Sequence, residues 1–251
     1  MQNDFIIALA WPEGMVSAAG AWYDFLFARN GKYRVGHSAV VLIDRQSGKL
    51  QYFDFGRYHS PPNYGRVRDV ETDSDVALNS IAKIKSDTIF NIDEILLEIK
   101  NKNSCHGEGT LYASILNDVS FVKAYKYAKK TQQKGLIPYG PFVYGGTNCS
   151  RFVASVMRSA SPKFIKNARL KFPFCISPSP KRNVGIANAD FYKVKENIVK
   201  KRAEEGEKRF MEAPFWRNKC TFGAGIRFGS NRFCKLSKKM KKNHQKTHIF
   251  I

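Results

Sequence analysis

The stretch Tyr33-Arg34-Val35-Gly36-His37-Ser38-Ala39-Val40-Val41-Leu42-Ile43-Asp44 constrains the fold more than any other part of this chain. It is a β-branched, apolar run, followed by the turn residues Arg45-Gln46-Ser47-Gly48. Lys49-Leu50-Gln51-Tyr52-Phe53-Asp54-Phe55-Gly56 then alternates like a returning strand. Two such runs around a short Gly-containing turn read as a β-hairpin. With Asp44 opposite Lys49, Ala39 faces Asp54 and His37 faces Gly56. Side chains alternate between the faces of a sheet, so His37 and Asp54 become diagonal neighbours on one face. A slip of one residue would send Asp54 to the other face. Asp54 interrupts an aromatic strand and His37 opens an apolar one, and packing accounts for neither.

Around the hairpin, residues 5–10 read as a short buried strand ended by Trp11-Pro12-Glu13-Gly14, and residues 15–29 as a helix closed by Asn30-Gly31. Residues 59–65 form a loop, with short strands expected at 66–70 and 87–90. Asn91-Ile92-Asp93-Glu94 has the form of a capping box before an amphipathic helix. A strand is expected at 110–116. Asp118 then caps a helix with Phe121, Val122, Tyr125 and Ala128 inward, ending at Gly135. Residues 176–183 read as a loop, and 191–213 as a strand and helix or one solvated helix. Residues 220–234 repeat small and aromatic residues, and Lys235–Lys246 is a lysine cluster of disordered character.

The second informative segment is Gly145-Gly146-Thr147-Asn148-Cys149-Ser150-Arg151-Phe152-Val153. The apolar spacing of Phe152, Val153, Val156 and Met157 predicts a helix directly after the cysteine. Thr147 or Asn148 is the N-cap, which puts Cys149 in the first turn. Unpaired backbone N–H groups and the helix dipole favour a thiolate there. The plainer alternative is a small buried residue at a helix start. A nucleophilic cysteine needs a base and an orienting group. His37 and Asp54 supply them, with Tyr52 and His59 as substitutes for the third place.

Charge divides the chain. Residues 1–150 hold 17 Lys+Arg against 15 Asp+Glu, and residues 151–251 hold 25 against 6, so nearly all of the net +21 lies in the second part. Five cysteines with no C-x-x-C pair argue against a disulfide framework and a zinc ribbon. Cys105-His106 are adjacent, Cys175, Cys220 and Cys234 lack ligand partners at usable spacing, and Gly107-Glu108-Gly109 is too short for a phosphate loop. No metal and no cofactor are expected. No run of about 18 uncharged apolar residues predicts a spanning helix, and the N-terminal run reads as a strand rather than a signal peptide. The expectation is a cytoplasmic protein.

Phe142-Val143-Tyr144-Gly145-Gly146-Thr147-Asn148-Cys149-Ser150, preceded by a helix over 124–135, resembles the opening of the NlpC-type branch of papain-like cysteine hydrolases. In that branch the histidine strand follows the cysteine, whereas here His37 precedes it by 112 residues. That order resembles the circularly permuted members, which include lecithin–retinol acyltransferase-like proteins and bacterial hydrolases. Their Asn-Cys-x-x-Phe-Val helix matches Asn148-Cys149-Ser150-Arg151-Phe152-Val153. The resemblance covers roughly residues 33–160. It implies an α+β, papain-like, circularly permuted fold: an antiparallel sheet or small barrel packed on the nucleophile helix. The family's oxyanion-side tyrosine would fall at Phe142, and Tyr139 is displaced, so the oxyanion donor implied is the backbone N–H of Cys149.

These readings give a catalytic domain over 1–160, a basic extension over 161–234 and a Lys-rich tail over 235–251. Cys149, His37 and Asp54 form the catalytic set, with Tyr52, Tyr144 and Asn148 as binding residues. The activity expected is hydrolysis or acyl transfer at an amide or ester, foremost as a peptidase or amidase. The substrate is a peptide, a cell-wall peptide included, or an acyl lipid. The alternative is a non-catalytic protein whose basic C-terminal region docks on an anionic partner: nucleic acid, a cell-wall polymer or an acidic lipid surface.

Overall fold

The computed structural model describes residues 4–17, 30–34, 36–105, 107–140, 143–171 and 177–202. β1 (Asp4–Trp11) is buried along its whole length. An apolar run without alternation suits a strand covered on both faces. β2 (Met15–Ser17) pairs with β3 (Lys32–Arg34), and the hairpin follows as β4 (His37–Ile43) and β5 (Leu50–Gly56). After β6 (Tyr64–Arg68), β7 (Ile84–Lys85) and β8 (Thr88–Ile89) pair with each other before α1 (Ile92–Asn101). β9 (Leu111–Val119), α2 (Phe121–Gln132), β10 (Ile137–Pro138) and α3 (Cys149–Ser159) come next. α4 (Phe164–Leu170), α5 (Pro180–Ala187), β11 (Tyr192–Lys195) and β12 (Ile198–Lys201) complete the described chain.

Eight of these strands form one antiparallel sheet in the order β10-β6-β5-β4-β1-β9-β11-β12. It is an open sheet rather than a small barrel, with apolar layers on both sides. On one face Ile6, Ala8, Val40, Leu42, Phe53 and Phe55 meet residues of α2, α3 and α5. On the other, Phe5, Ile7, Leu9, Val41 and Tyr52 meet Ile92, Ile95, Leu96 and Ile99 of α1. Residues 164–202 add two helices and the last two strands to this same body, so the described part of the basic extension packs on a shared core.

Several local expectations need correcting. Met15–Ser17 is extended because it pairs with Lys32–Arg34; residues 18–29 of the expected helix lie outside the described residues. Asp118 does not cap α2. β9 runs on past it to Val119, Asp118 itself takes a left-handed φ of 57°, and Ser120 caps the helix by accepting from the Lys123 N–H. The inward face is set by Ala124 and Ala128 with Phe121 and Tyr125 against them, while Val122 is exposed. Residues 180–183 are helical rather than a loop, because Pro180 occupies the first turn, where its missing N–H costs nothing, and Ser179 caps it. Asn91 opens α1 without capping it. Its side chain instead accepts from the Lys83 N–H and donates to the Ile81 carbonyl, tying the β7 approach to the helix. The strand of 191–213 is a hairpin, β11–β12. The runs 203–213, 220–234 and 235–251 lie outside the described residues.

One buried carboxylate ties α2 to the sheet. Asp69, just after β6 and 1% exposed, accepts from Lys129 Nζ and Gln132 Nε2, both at 2.8 Å. It also accepts from the Glu71 and Thr72 N–H groups. Removing the acceptor leaves Gln132 and the Glu71 and Thr72 N–H groups without this partner, and Lys129 with the exposed Glu71 carboxylate alone. Asp69→Ala should therefore lower the unfolding free energy by about 3 kcal/mol in urea titration, whereas a surface change such as Glu196→Ala should leave it within about 0.5 kcal/mol.

Candidate active site

His37 is the first residue of β4, and its register partner on β1 is Trp11. The indole stacks on the imidazole with 5.8 Å between ring centres. Gly36 has φ +69°, and a Cβ there would lie 2.4 Å from the Trp11 carbonyl oxygen. Glycine alone lets the chain enter β4 this close to β1. The ring thus stands at the end of the sheet, where the N-terminus of α3 reaches it.

Ala39 sits opposite Asp54, the register the turn predicts. The diagonal follows: His37 Nε2 lies 3.1 Å from Asp54 Oδ2. Asp54 has no exposed surface, and a buried carboxylate must be paired or neutral. Its partner across the next strand is Arg68 on β6. Arg68 Nε donates to Oδ1 at 3.1 Å and Nη2 to Oδ2 at 2.8 Å. The hydroxyls of Tyr52 and Tyr58 donate to Oδ2 at 3.1 and 2.8 Å. Burial alone would raise the Asp54 pKa, but the hydrogen bonds and charges of His37 and Arg68 hold it well below the usual carboxylate range.

Cys149 begins α3. Of the two capping candidates, Asn148 is the one used: its Oδ1 accepts from the Arg151 N–H at 2.9 Å, and its Nδ2 donates to Ser177 Oγ at 2.7 Å. The Asn183 side chain donates to the Ser150 carbonyl at 2.8 Å and fixes this first turn to α5. The thiol, nearly buried, lies beside the His37 ring, near enough for each group to shift the other, and has Ser150 Oγ at 3.9 Å. Burial pushes the thiol up, but the hydrogen bond and charge of His37, with Ser150, bring it below its ordinary value. Burial likewise pushes His37 down, and Asp54 and Cys149 overcome it, raising the imidazole to about 9. Both shifts favour a thiolate beside an imidazolium. His37 remains 13% exposed, so the pair can be approached from solvent.

The structure brings Cys149, His37 and Asp54 together. Tyr52 is buried, and its hydroxyl holds Asp54 instead of lining an open surface. Tyr144 is fully exposed on the loop before α3, with no hydrogen bond or ring contact among the described residues. His59 is exposed in a left-handed turn and does not join the cluster. Tyr139 stacks on Phe55 and bridges Thr147, so it braces the loop that leads to the cysteine. Cys105 is buried and its thiol is pushed up to about 12, chiefly by burial. Phe142, His106, Cys175, Cys220 and Cys234 lie outside the described residues. Among the described residues, no group of three or more His, Cys, Asp or Glu could hold a metal.

Sequence reasoning missed Tyr58 and Arg68. The Arg68 guanidinium lies over the Tyr58 ring, 3.5 Å from its centre, and also donates to the Ser104 carbonyl. Arg68 is opposite Asp54 only through the β5–β6 register, and the seven-residue connection from Arg57 to Asn63 does not set that register from sequence. Tyr58 gives only an indirect signal in Gly56, where a Cβ would meet its ring at 2.5 Å.

A family model described as type VI secretion system effector TseH-like matches residues 6–164, the span that holds His37, Asp54 and Cys149. Among solved structures, the chain is similar to the crystal structure of the type VI secretion system effector TseH. The two share 21% identity at a TM-score of 0.55, over 80% of this chain and 98% of that one. At that identity the likeness concerns the fold alone. No curated protein matches the chain.

Two measurements check this geometry. Iodoacetamide should alkylate Cys149 well below pH 8.5, the ordinary cysteine value, and leave Cys105 untouched in the folded protein. His37→Ala should move the Cys149 reactivity midpoint upward, since only Ser150 then opposes burial. Arg68→Met should cost about 3–5 kcal/mol at pH 7, because it strands a buried charge. The Asp54 pKa is depressed in the native protein, so its stabilisation is present above the unfolded value of about 3.9 and lost as pH falls. The deficit of Arg68→Met in denaturant titrations should accordingly shrink below about pH 4.

Proposed function

The chain belongs to the type VI secretion system effector TseH-like family, and we propose that it is a thiol hydrolase with a permuted papain-like arrangement, cutting an amide or ester bond. The observation that supports this reading is the Cys149 thiol at a helix start, beside a histidine whose ring is held by an ionised aspartate.

In this reading the Cys149 thiolate attacks the substrate carbonyl carbon. The oxyanion meets the backbone N–H of Cys149, which has no partner within the helix because it lies in the first turn. The His37 imidazolium gives its proton to the departing amine or alcohol, leaving a thioester on Cys149. The neutral imidazole then takes a proton from water, whose oxygen attacks the thioester and releases the acid and the thiolate. Asp54, kept charged by Arg68, holds the ring in place and balances its positive charge. A peptide is the favoured substrate class, with cell-wall peptides first among them. Work outside the producing cell, after folding where thiols stay reduced, fits both the effector family and the free thiols of Cys105 and Cys149, the two cysteines among the described residues. The alternative, a non-catalytic protein docking on an anionic partner, rests on the basic C-terminal region from residue 161 onward, of which 203–251 lie outside the described residues.

Turnover of a peptide-amide library should vanish in Cys149→Ala and fall at least about 1,000-fold in His37→Ala. Because the His37 pKa is raised to about 9, its acid form persists through neutrality. The rate with amide substrates should drop as pH rises past that value, when no proton is left for the amine. Retained turnover in Cys149→Ala would overturn the reading.

A further inference from the structure

α3 presents two unlike faces. Cys149, Val153 and Val156 turn inward, and at about 100° per residue Thr147, Arg151, Ser155 and Arg158 fall on roughly the opposite side. That second side forms one wall of a groove of about 370 Å³. The other wall is α2 and its end, through Tyr127, Thr131 and Lys134, and the floor is apolar, from Ile137, Phe152 and Leu170.

The groove is electrostatically one-sided. Lys134, Arg151 and Arg158 line it, and none of its lining residues is acidic. The acidic residues that face α2, Asp69 and Glu71, are engaged by Lys129 on another side of that helix. Lys134 and Arg158 have no carboxylate partner among the described residues, and Arg158 Nε is buried with no hydrogen-bond acceptor. A buried guanidinium N–H left in this state favours any ligand that brings an oxyanion to it.

We propose that this groove is an exosite for a short carboxylate-bearing peptide segment, separate from the site of bond cleavage and independent of the hydrolase reading. Two cations without a carboxylate partner among the described residues, Lys134 and Arg158, suit two carboxylates. A nucleic-acid backbone draws on a longer track, commonly ~6–10 phosphate contacts. The volume falls within the ~300–1,000 Å³ typical of small-ligand sites, enough for a short segment. The apolar floor accepts the methylene stems of glutamate side chains while the rims pair with their carboxylates.

The test is fluorescence anisotropy on the full chain with a labelled hexaglutamate peptide, its hexaglutamine counterpart and a hexathymidylate. The expected result is that hexaglutamate binds, hexaglutamine does not, and Lys134→Glu and Arg158→Gln each weaken binding by about fivefold or more. Lys134 is exposed, so its variant keeps the fold even if Arg158→Gln does not, and thermal melting separates the two cases. Glutamine substitutions at Lys238, Lys239, Lys241 and Lys242 should leave hexaglutamate affinity unchanged. Binding lost with those four lysines and insensitive to Lys134→Glu would overturn the proposal. So would hexathymidylate binding more tightly than hexaglutamate in a manner that Lys134→Glu abolishes.

Discussion

A carboxylate with no exposed surface sits in the middle strand of a three-strand segment, and much of the site depends on keeping it charged. Asp54 cannot be solvated, so it must be neutralised by its neighbours. Arg68 does this from β6 with two hydrogen bonds, one to each oxygen, and the hydroxyls of Tyr52 and Tyr58 both donate to Oδ2. The registers β4–β5 and β5–β6 therefore have to be right together: one puts His37 on the diagonal of Asp54, the other puts Arg68 directly across from it. Either slipping by one residue would leave a buried charge alone, so the polar cluster also specifies the sheet.

The same charge reaches the sulfur through the imidazole. Asp54 and Cys149 raise His37 against the pull of burial, and His37 in turn lowers Cys149. The start of α3 adds the unpaired N–H groups of its first turn, with Asn148 anchoring the cap. The imidazole and the thiol come from different layers, one from a strand end and the other from a helix end. The close approach of β4 to β1 at Gly36 and Trp11, and the tie from Asn183 to Ser150, hold the two in register.

The parts of the fold legible in the sequence were those with strong local signals. The hairpin register came from turn length and alternation, and the α3 start came from a capping residue followed by apolar spacing. What was not legible depended on distant partners. Val122 looked inward by hydrophobicity, yet the packed face is the one carrying Ala124 and Ala128, where small residues let the helix approach. Ser120 rather than Asp118 caps α2 because β9 continues to Val119 on pairing terms that only β1 supplies. In the site, His37, Asp54 and Cys149 could be named from residue type and position. Arg68 could not, since nothing local marks an arginine as buried until its neighbour across the sheet is known.

β1 is flanked by β4 on one side and β9 on the other, and Asp4 accepts a hydrogen bond from Phe121, 117 residues along the chain. A ribosome making this protein delivers the central strand before its neighbours, and the second neighbour only after four of the eight strands. The hairpin can close early, because its contacts are local. The β1–β9 pairing carries a long loop-closure cost, and topologies of this kind fold slowly. The thiol arrives later still, on the helix after β9 and β10. This order of synthesis acts as a timer on the cluster: the sulfur of Cys149 is made 112 residues after the imidazole of His37, so the two groups that shift each other meet only once α3 has begun.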